Sequence, residues 1–197
     1  MKKLVEHKVK REALSYGKYR WFWTSSGKLV IGGKSAEQNE EIVSSLMKSG
    51  KNYVVMHTRE PGSPFAIIQS DKYNERDLGE TAIFTACFSR AWREKKKEVI
   101  IDIFKTDQIT KNKSMKVGTF GVNGKIERKK VGLKLYLIKQ KGFLRAVPYC
   151  KNKDAICIVP GAITKEHFAE QISIKLDIIK DEVLQALPTG GFKICSL

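Results

Sequence analysis

Residues 20–39 decide how this chain begins to fold: Arg20-Trp21-Phe22-Trp23-Thr24-Ser25-Ser26-Gly27-Lys28-Leu29-Val30-Ile31-Gly32-Gly33-Lys34-Ser35-Ala36-Glu37-Gln38-Asn39. Aromatic and β-branched residues flank Ser25-Ser26-Gly27-Lys28, a pattern that predicts a hairpin with a glycine-containing turn. Gly32-Gly33 breaks the second strand. Ser35 with Gln38 three residues later is the signature of a helix N-cap. From there a helix is expected to about Lys48, burying Ile42, Val43, Leu46 and Met47, with Ser49-Gly50 ending it.

Working outward, Asn52 to His57 reads as a buried strand. The turn Glu60-Pro61-Gly62-Ser63-Pro64 leads into a strand over 65–68. Ala82, Ile83, Ala86, Ala91 and Trp92 predict one helix over 78–95, and 99–104 is a strand. Three strand-like pieces follow, at 118–123, 133–139 and 143–149, punctuated by Gly124 and Gly142. Residues 156–159 form a last short strand before Pro160-Gly161. Thr164 then caps a final helix whose buried face carries Phe168, Ile172, Leu176, Ile179 and Val183, and Pro188 stops it. In front of the hairpin, residues 1–18 suit a helix or an arm. This order predicts an α+β fold, with a mixed, largely antiparallel β-sheet flanked by two or three helices. The charge changes sign near Asp154, so the expected division is 1–18 as arm, 19–153 as main domain and 154–197 as a strand and helix packed on it.

Of 197 residues, 37 are Lys or Arg and 21 are Asp or Glu, for a net charge of +16. The excess is concentrated: from Lys105 to Lys153 fourteen basic residues face two acids, Asp107 and Glu127. A single-sign block is what a polyanion-binding face requires, although charge alone does not separate RNA from DNA. A hydrophobic content of 42% suffices for a globular core. No run of about 18 apolar residues occurs, and the first residues are charged, so a soluble, cytoplasmic protein with no membrane partner is expected. Cys87, Cys150, Cys157 and Cys195 lack metal-ligand spacing, so buried, reduced thiols and no metal or other cofactor are expected.

Several residues could carry chemistry. The strand–Gly32-Gly33–helix passage is a natural phosphate seat, with Lys34 beside the free N–H groups of the helix start. Gln38 and Asn39 could contact RNA there, or Gln38 could simply complete its cap. Trp21 and Trp23 share one side of their strand. Exposed, they would stack on unpaired bases; buried, they would be core, and the core reading is the stronger. His57 ends a strand just before the Pro61-Gly62-Ser63 turn, where an enzyme could use it as a base with Glu60 or Glu80. No nucleophile with an activating partner accompanies it, so a loop-shaping histidine is the better reading.

Taken together, these residues resemble the NFACT-R domain of the NEMF/RqcH/FbpA proteins. The resemblance rests on Trp21, Trp23 and Ser25-Ser26-Gly27, then Val30-Ile31-Gly32-Gly33-Lys34, Ala36 and Gln38-Asn39. It continues through Met56-His57, Pro61-Gly62-Ser63, Glu80-Thr81-Ala82, Ser89-Arg90-Ala91-Trp92 and 107–111, covering about residues 19–150. Three positions depart from the family pattern. Lys34 replaces an arginine, Asn52 an aspartate, and Pro64 a second histidine, so a two-histidine site is not expected. The family works on stalled large ribosomal subunits and engages tRNA. The resemblance therefore implies a stand-alone RNA-binding protein for tRNA or rRNA, with the ribosome or translation factors as further partners. Lys34, Arg59, Arg90, Lys111, Lys113 and Lys116 would hold phosphates, while Gln38, Asn39, His57 and Ser63 would shape or read the site. The alternative is an RNA-processing or RNA-modifying enzyme with a pocket centred on His57.

Overall fold

The computed structural model describes residues 14–195, so most of the expected N-terminal arm lies outside the described residues; 15–18 form a turn. The hairpin is present, with β1 (Arg20–Trp23) antiparallel to β2 (Leu29–Gly32) and Phe22 opposite Val30. Helix α1 (Ala36–Lys48) is capped by Ser35, whose Oγ accepts the Gln38 N–H. The return arm of the cap lands one residue early: Gln38 Oε1 accepts from the Lys34 N–H at 2.9 Å.

Next come β3 (Val54–Thr58) and β4 (Ala66–Ile68), then two helices where one was expected. Helix α2 (Glu75–Cys87) starts at a reciprocal cap between Asn74 and Asp77, and α3 (Arg90–Arg93) starts afresh at Ser89. The Ser89 hydroxyl donates to the Ala86 carbonyl and accepts the Ala91 N–H, satisfying both helix ends at the break.

Strand β5 (Glu98–Lys105) and a 3-10 turn at Thr106–Gln108 precede a small pair, β6 (Ile109–Thr110) and β7 (Gly121–Val122). Strand β8 (Glu127–Gly132) was not expected, because Glu-Arg-Lys-Lys-Val-Gly has no apolar alternation. It pairs with β5 along a sheet edge, where charged side chains facing solvent guard against further strand addition. Strands β9 (Leu135–Gln140) and β10 (Phe143–Val147) form the second hairpin. β11 (Ile156–Ile163) runs on through Pro160-Gly161 with a bulge. The expected last helix is again two, α4 (Lys165–Leu176) and α5 (Lys180–Ala186), separated at Asp177, whose φ is 50°. A short β12 (Phe192–Ile194) follows.

The fold is α+β, and every strand pairing among the described residues is antiparallel. Where one sheet was foreseen, two main ones form, in the orders β1-β2-β4-β3-β5-β8 and β10-β9-β11-β12. Residues beyond Asp154 supply β11, which lies between β9 and β12 in the second sheet. Cys157 and Cys195 are joined by a disulfide across the β11–β12 edge, correcting the expectation of four reduced thiols; Cys87 is free and buried.

Strand alternation distributes the core. Met56, Ala66, Ile68 and Ile101 turn toward α2, whereas Val55, Ile67 and Phe104 turn toward α1 on the other face. Helix α2 is covered on both sides: Ala82, Phe84 and Ala86 meet the six-stranded sheet, and Cys87 joins the core under α4, α5 and the second sheet. Small residues at Thr81, Ala82, Thr85 and Ala86 let both layers approach it. A bridge ties the edge strand β1 of the first sheet to the end of β9 in the second. The Gln140 carboxamide accepts from Trp23 N–H at 2.9 Å and donates to the Trp23 carbonyl at 2.8 Å, as a neighbouring strand would.

The hairpin turn is anchored to α2 by two carboxylates. Asp77 accepts from the hydroxyls of Thr24 (2.6 Å) and Ser26 (2.5 Å), and Glu80 accepts from the Ser25 N–H and hydroxyl. Burial pushes the Asp77 carboxyl up, but these donors and the Asn74 N–H outweigh it and leave it below its ordinary range. A depressed carboxyl stabilises the fold above its unfolded pKa and loses that contribution as pH falls through the folded value. Asp77→Asn is expected to lower stability by about 1–3 kcal/mol at neutral pH. In denaturant unfolding, the deficit should shrink below about pH 4 as the wild-type carboxyl protonates.

Candidate nucleic-acid interface

A cleft of about 670 Å³ opens where the start of α1, the end of β3, the 58–65 turn, α3 and the 117–120 loop meet. Its cationic lining comes from four elements: Arg20 on β1, Lys34 before α1, Arg59 after β3, and Arg90 with Arg93 on α3. Asp102 is the single acid lining it among the described residues, and it already pairs with Arg128 at 3.1 Å.

The cleft's shape is set by Asn39. This residue is 8% exposed; its Oδ1 accepts the Phe65 N–H at 3.1 Å and its Nδ2 donates to the Ser63 carbonyl. Gly33 is required beneath it, since a Cβ there would fall 2.3 Å from Asn39 Oδ1. Across the cleft, Gly62 has φ of +108° and its carbonyl accepts the Arg90 N–H at 2.8 Å, docking the turn on α3. The Ser63 hydroxyl accepts the Thr58 N–H and closes the turn from within.

The expected site residues fall into different places. Asn39 and Ser63 are buried and spend polar atoms on the loop, the shaping half of the role expected of them. Gln38 completes the cap and its Nε2 reaches the Lys18 carbonyl. Lys111 is a strut: its Nζ binds Glu40 at 2.7 Å and the carbonyls of Lys116 and Thr119, fixing the 111–119 loop against α1. Lys113 and Lys116 stay exposed on that loop. Trp21 is 2% exposed, with Arg145 over its ring at 4.3 Å and Tyr16 and Phe143 at its edges, so no base can stack on it. Trp23 is part-exposed under Lys141, and neither tryptophan lines the cleft.

His57 does line it, tilted against Phe65 at 4.4 Å between ring centres. Its Nδ1 lies 2.6 Å from the Thr58 carbonyl, so this nitrogen carries the hydrogen. Neither carboxylate considered as its partner serves it. Glu60 is engaged by Lys96, and Glu80 by Ser25 on the opposite side of the hairpin. Asp102 faces His57 across β5, yet burial prevails and holds the imidazole pKa down.

Two cleft residues escaped the sequence reading. Arg20 is paired in register with Gly32, which places it beside Lys34, a relation readable from the hairpin. Arg93 follows Arg90 by three residues, the spacing that puts both on one helix face. Neighbouring cations bear on Lys34. Burial pushes Arg20 down to about 10, and burial together with Arg20 and Arg145 lowers Lys34.

The family model described as the NFACT protein RNA binding domain matches residues 18–124, more than half of the chain. The chain belongs to the NFACT-R family. A Drosophila melanogaster protein, ribosome quality control complex subunit NEMF homolog, is 32% identical over 124 residues, 58% of this chain and 12% of the fly protein. The human subunit NEMF is 32% identical over 85 residues, 42% of this chain and 8% of its own length. The NFACT-R chain thus spans about a tenth of the length of the curated relatives it matches. The C-terminal part of the fibronectin/fibrinogen-binding protein of Streptococcus suis shares the fold. It has a TM-score of 0.51 at 20% identity, over 66% of this chain and 51% of that one.

Two measurements check the NFACT-R cleft's construction. Asn39→Ala leaves the Phe65 N–H and Ser63 carbonyl unpaired and is expected to cost about 1–3 kcal/mol in denaturant unfolding. NMR titration should find His57 protonating below its ordinary 6.5, so that it is neutral at pH 7 and its protonation destabilises the fold as pH falls.

Proposed function

We propose that the chain is an RNA-binding protein whose cleft and adjoining basic loop grip the phosphates of tRNA or ribosomal RNA, without catalysing a reaction. The observation that carries this is the cleft's charge: five cations against one acid that is already paired. Like charges gathered without counter-charges destabilise the free protein, and a polyanion relieves that cost. Arg59 and Arg90 are exposed for phosphate contact, and Lys113 and Lys116 extend the surface along the 111–119 loop. The family description and the relatives' names as ribosome quality control subunits favour RNA over DNA and a place at the ribosome or beside translation factors. His57 is left a shaping role, since its ring is held by Thr58 and the nearby Thr58 and Ser63 hydroxyls are themselves spent on the backbone of the turn.

The test is binding of tRNA, ribosomal RNA fragments and sequence-matched duplex DNA across a salt series. Tighter RNA binding with steep salt dependence is expected. Arg59→Gln and Arg90→Gln should each weaken it roughly tenfold and reduce the log–log salt slope by about 1, while Lys175→Gln on α4 leaves it unchanged. Equal, weak binding to every polyanion would overturn the proposal.

A further inference from the structure

Resting on that reading, we infer that the cleft is a seat for one unpaired nucleotide of the RNA, phosphate at the Arg20–Lys34 end and base toward the His57–Phe65 wall. Size is the first argument. A cleft of about 670 Å³ matches the pockets that enclose single small molecules, whereas a duplex can only be gripped from outside. The contents are the second.

At one end, the 20–32 pairing brings Arg20 beside the chain entering α1. Its guanidinium lies over the Phe88 ring at 4.7 Å, and no carboxylate pairs with it among the described residues. Lys34 lies near enough for Arg20 to disfavour its charge. A phosphate placed here would meet both cations beside the start of α1, where the helix dipole also favours an anion.

The other end is aromatic. His57 lies against Phe65, and Phe120 meets Phe65 edge-on at 5.4 Å; Phe65 itself is buried, so the ring surface open to a base is that of half-buried His57 and Phe120. With Nδ1 committed to Thr58, the neutral ring keeps its lone pair on Nε2, an acceptor for a base amino group or a ribose hydroxyl. Asn39 fixes the two ends relative to one another, because its amide joins α1 to Ser63 and Phe65. Phosphate-only recognition needs no ring wall, and base stacking alone needs no unpaired arginine. One nucleotide uses both.

The experiment is NMR chemical-shift mapping of the full chain with AMP, UMP, adenosine and inorganic phosphate, alongside tRNA binding. AMP and UMP are expected to shift the amides of Gly33–Ala36 together with His57 and Phe65. Adenosine and phosphate should each bind at least tenfold more weakly. Arg20→Gln should abolish the nucleotide shifts. Should that variant misfold, Lys34→Gln, at an exposed position, is expected to weaken AMP at least fivefold while its unperturbed spectrum reports the fold. Phosphate binding as tightly as AMP would overturn the base half of the inference. If no nucleotide shifts the cleft while tRNA still binds, the seat is refuted and the RNA-binding reading stands. If tRNA also fails to bind, both fall.

Discussion

The buried carboxamide of Asn39 is the constraint on which the cleft depends. It accepts from Phe65 and donates to Ser63, fastening the first turn of α1 to a loop 24 residues further along the chain. That fastening requires Gly33 against it, for no Cβ fits there, and it holds the Phe65 ring where His57 and Phe120 can pack on it. A lone polar group buried this way would be destabilising; here both sides of the amide are paired, so burial yields a rigid joint. The arginines and lysines around it can then be arranged by position, without salt bridges to hold them.

That freedom shows in the electrostatics. Elsewhere on the protein, acids are spent locally: Glu40 on Lys111, Glu41 on Lys18, Glu60 on Lys96 and Glu98 on Lys130. Asp77 and Glu80 are spent on the hairpin turn. Among the described residues one acid lines the cleft, Asp102, and it is taken by Arg128. The exposed pairs add little stability individually, but they neutralise one part of the surface and leave the positive potential concentrated in another. Ion pairing and the cleft thus divide the charged residues between them. Lys111 shows how sharply: it sits in the basic block yet serves as a strut, while Lys113 and Lys116 beside it face solvent.

Periodicity and capping residues made much of the fold legible. The β1–β2 hairpin, α1 and β3 follow from local alternation, Ser35 and Gly32-Gly33, because those signals act within a few residues. Where the reading failed, the deciding forces were not local. Helix α2 has too little amphipathic contrast to mark its ends, since sheets cover both its sides; β8 is polar on both faces because it is an edge held by β5's hydrogen bonds. The break at Ser89 and the left-handed Asp177 are turns that a continuous apolar stripe concealed.

The candidate site divides in the same way. The sequence by itself determined the charge excess, the glycine-marked entry to α1, the family motifs and the α+β class. Each is carried by composition or by spacing along a short stretch. Only the tertiary structure decided which polar residues line the cleft. Asn39, Ser63 and Trp21 proved to be buried joints, and Arg20 and Arg93 joined the cleft. Whether a side chain is spent on the fold or left for a partner depends on what stands opposite it, and here those neighbours lie tens of residues away in the chain.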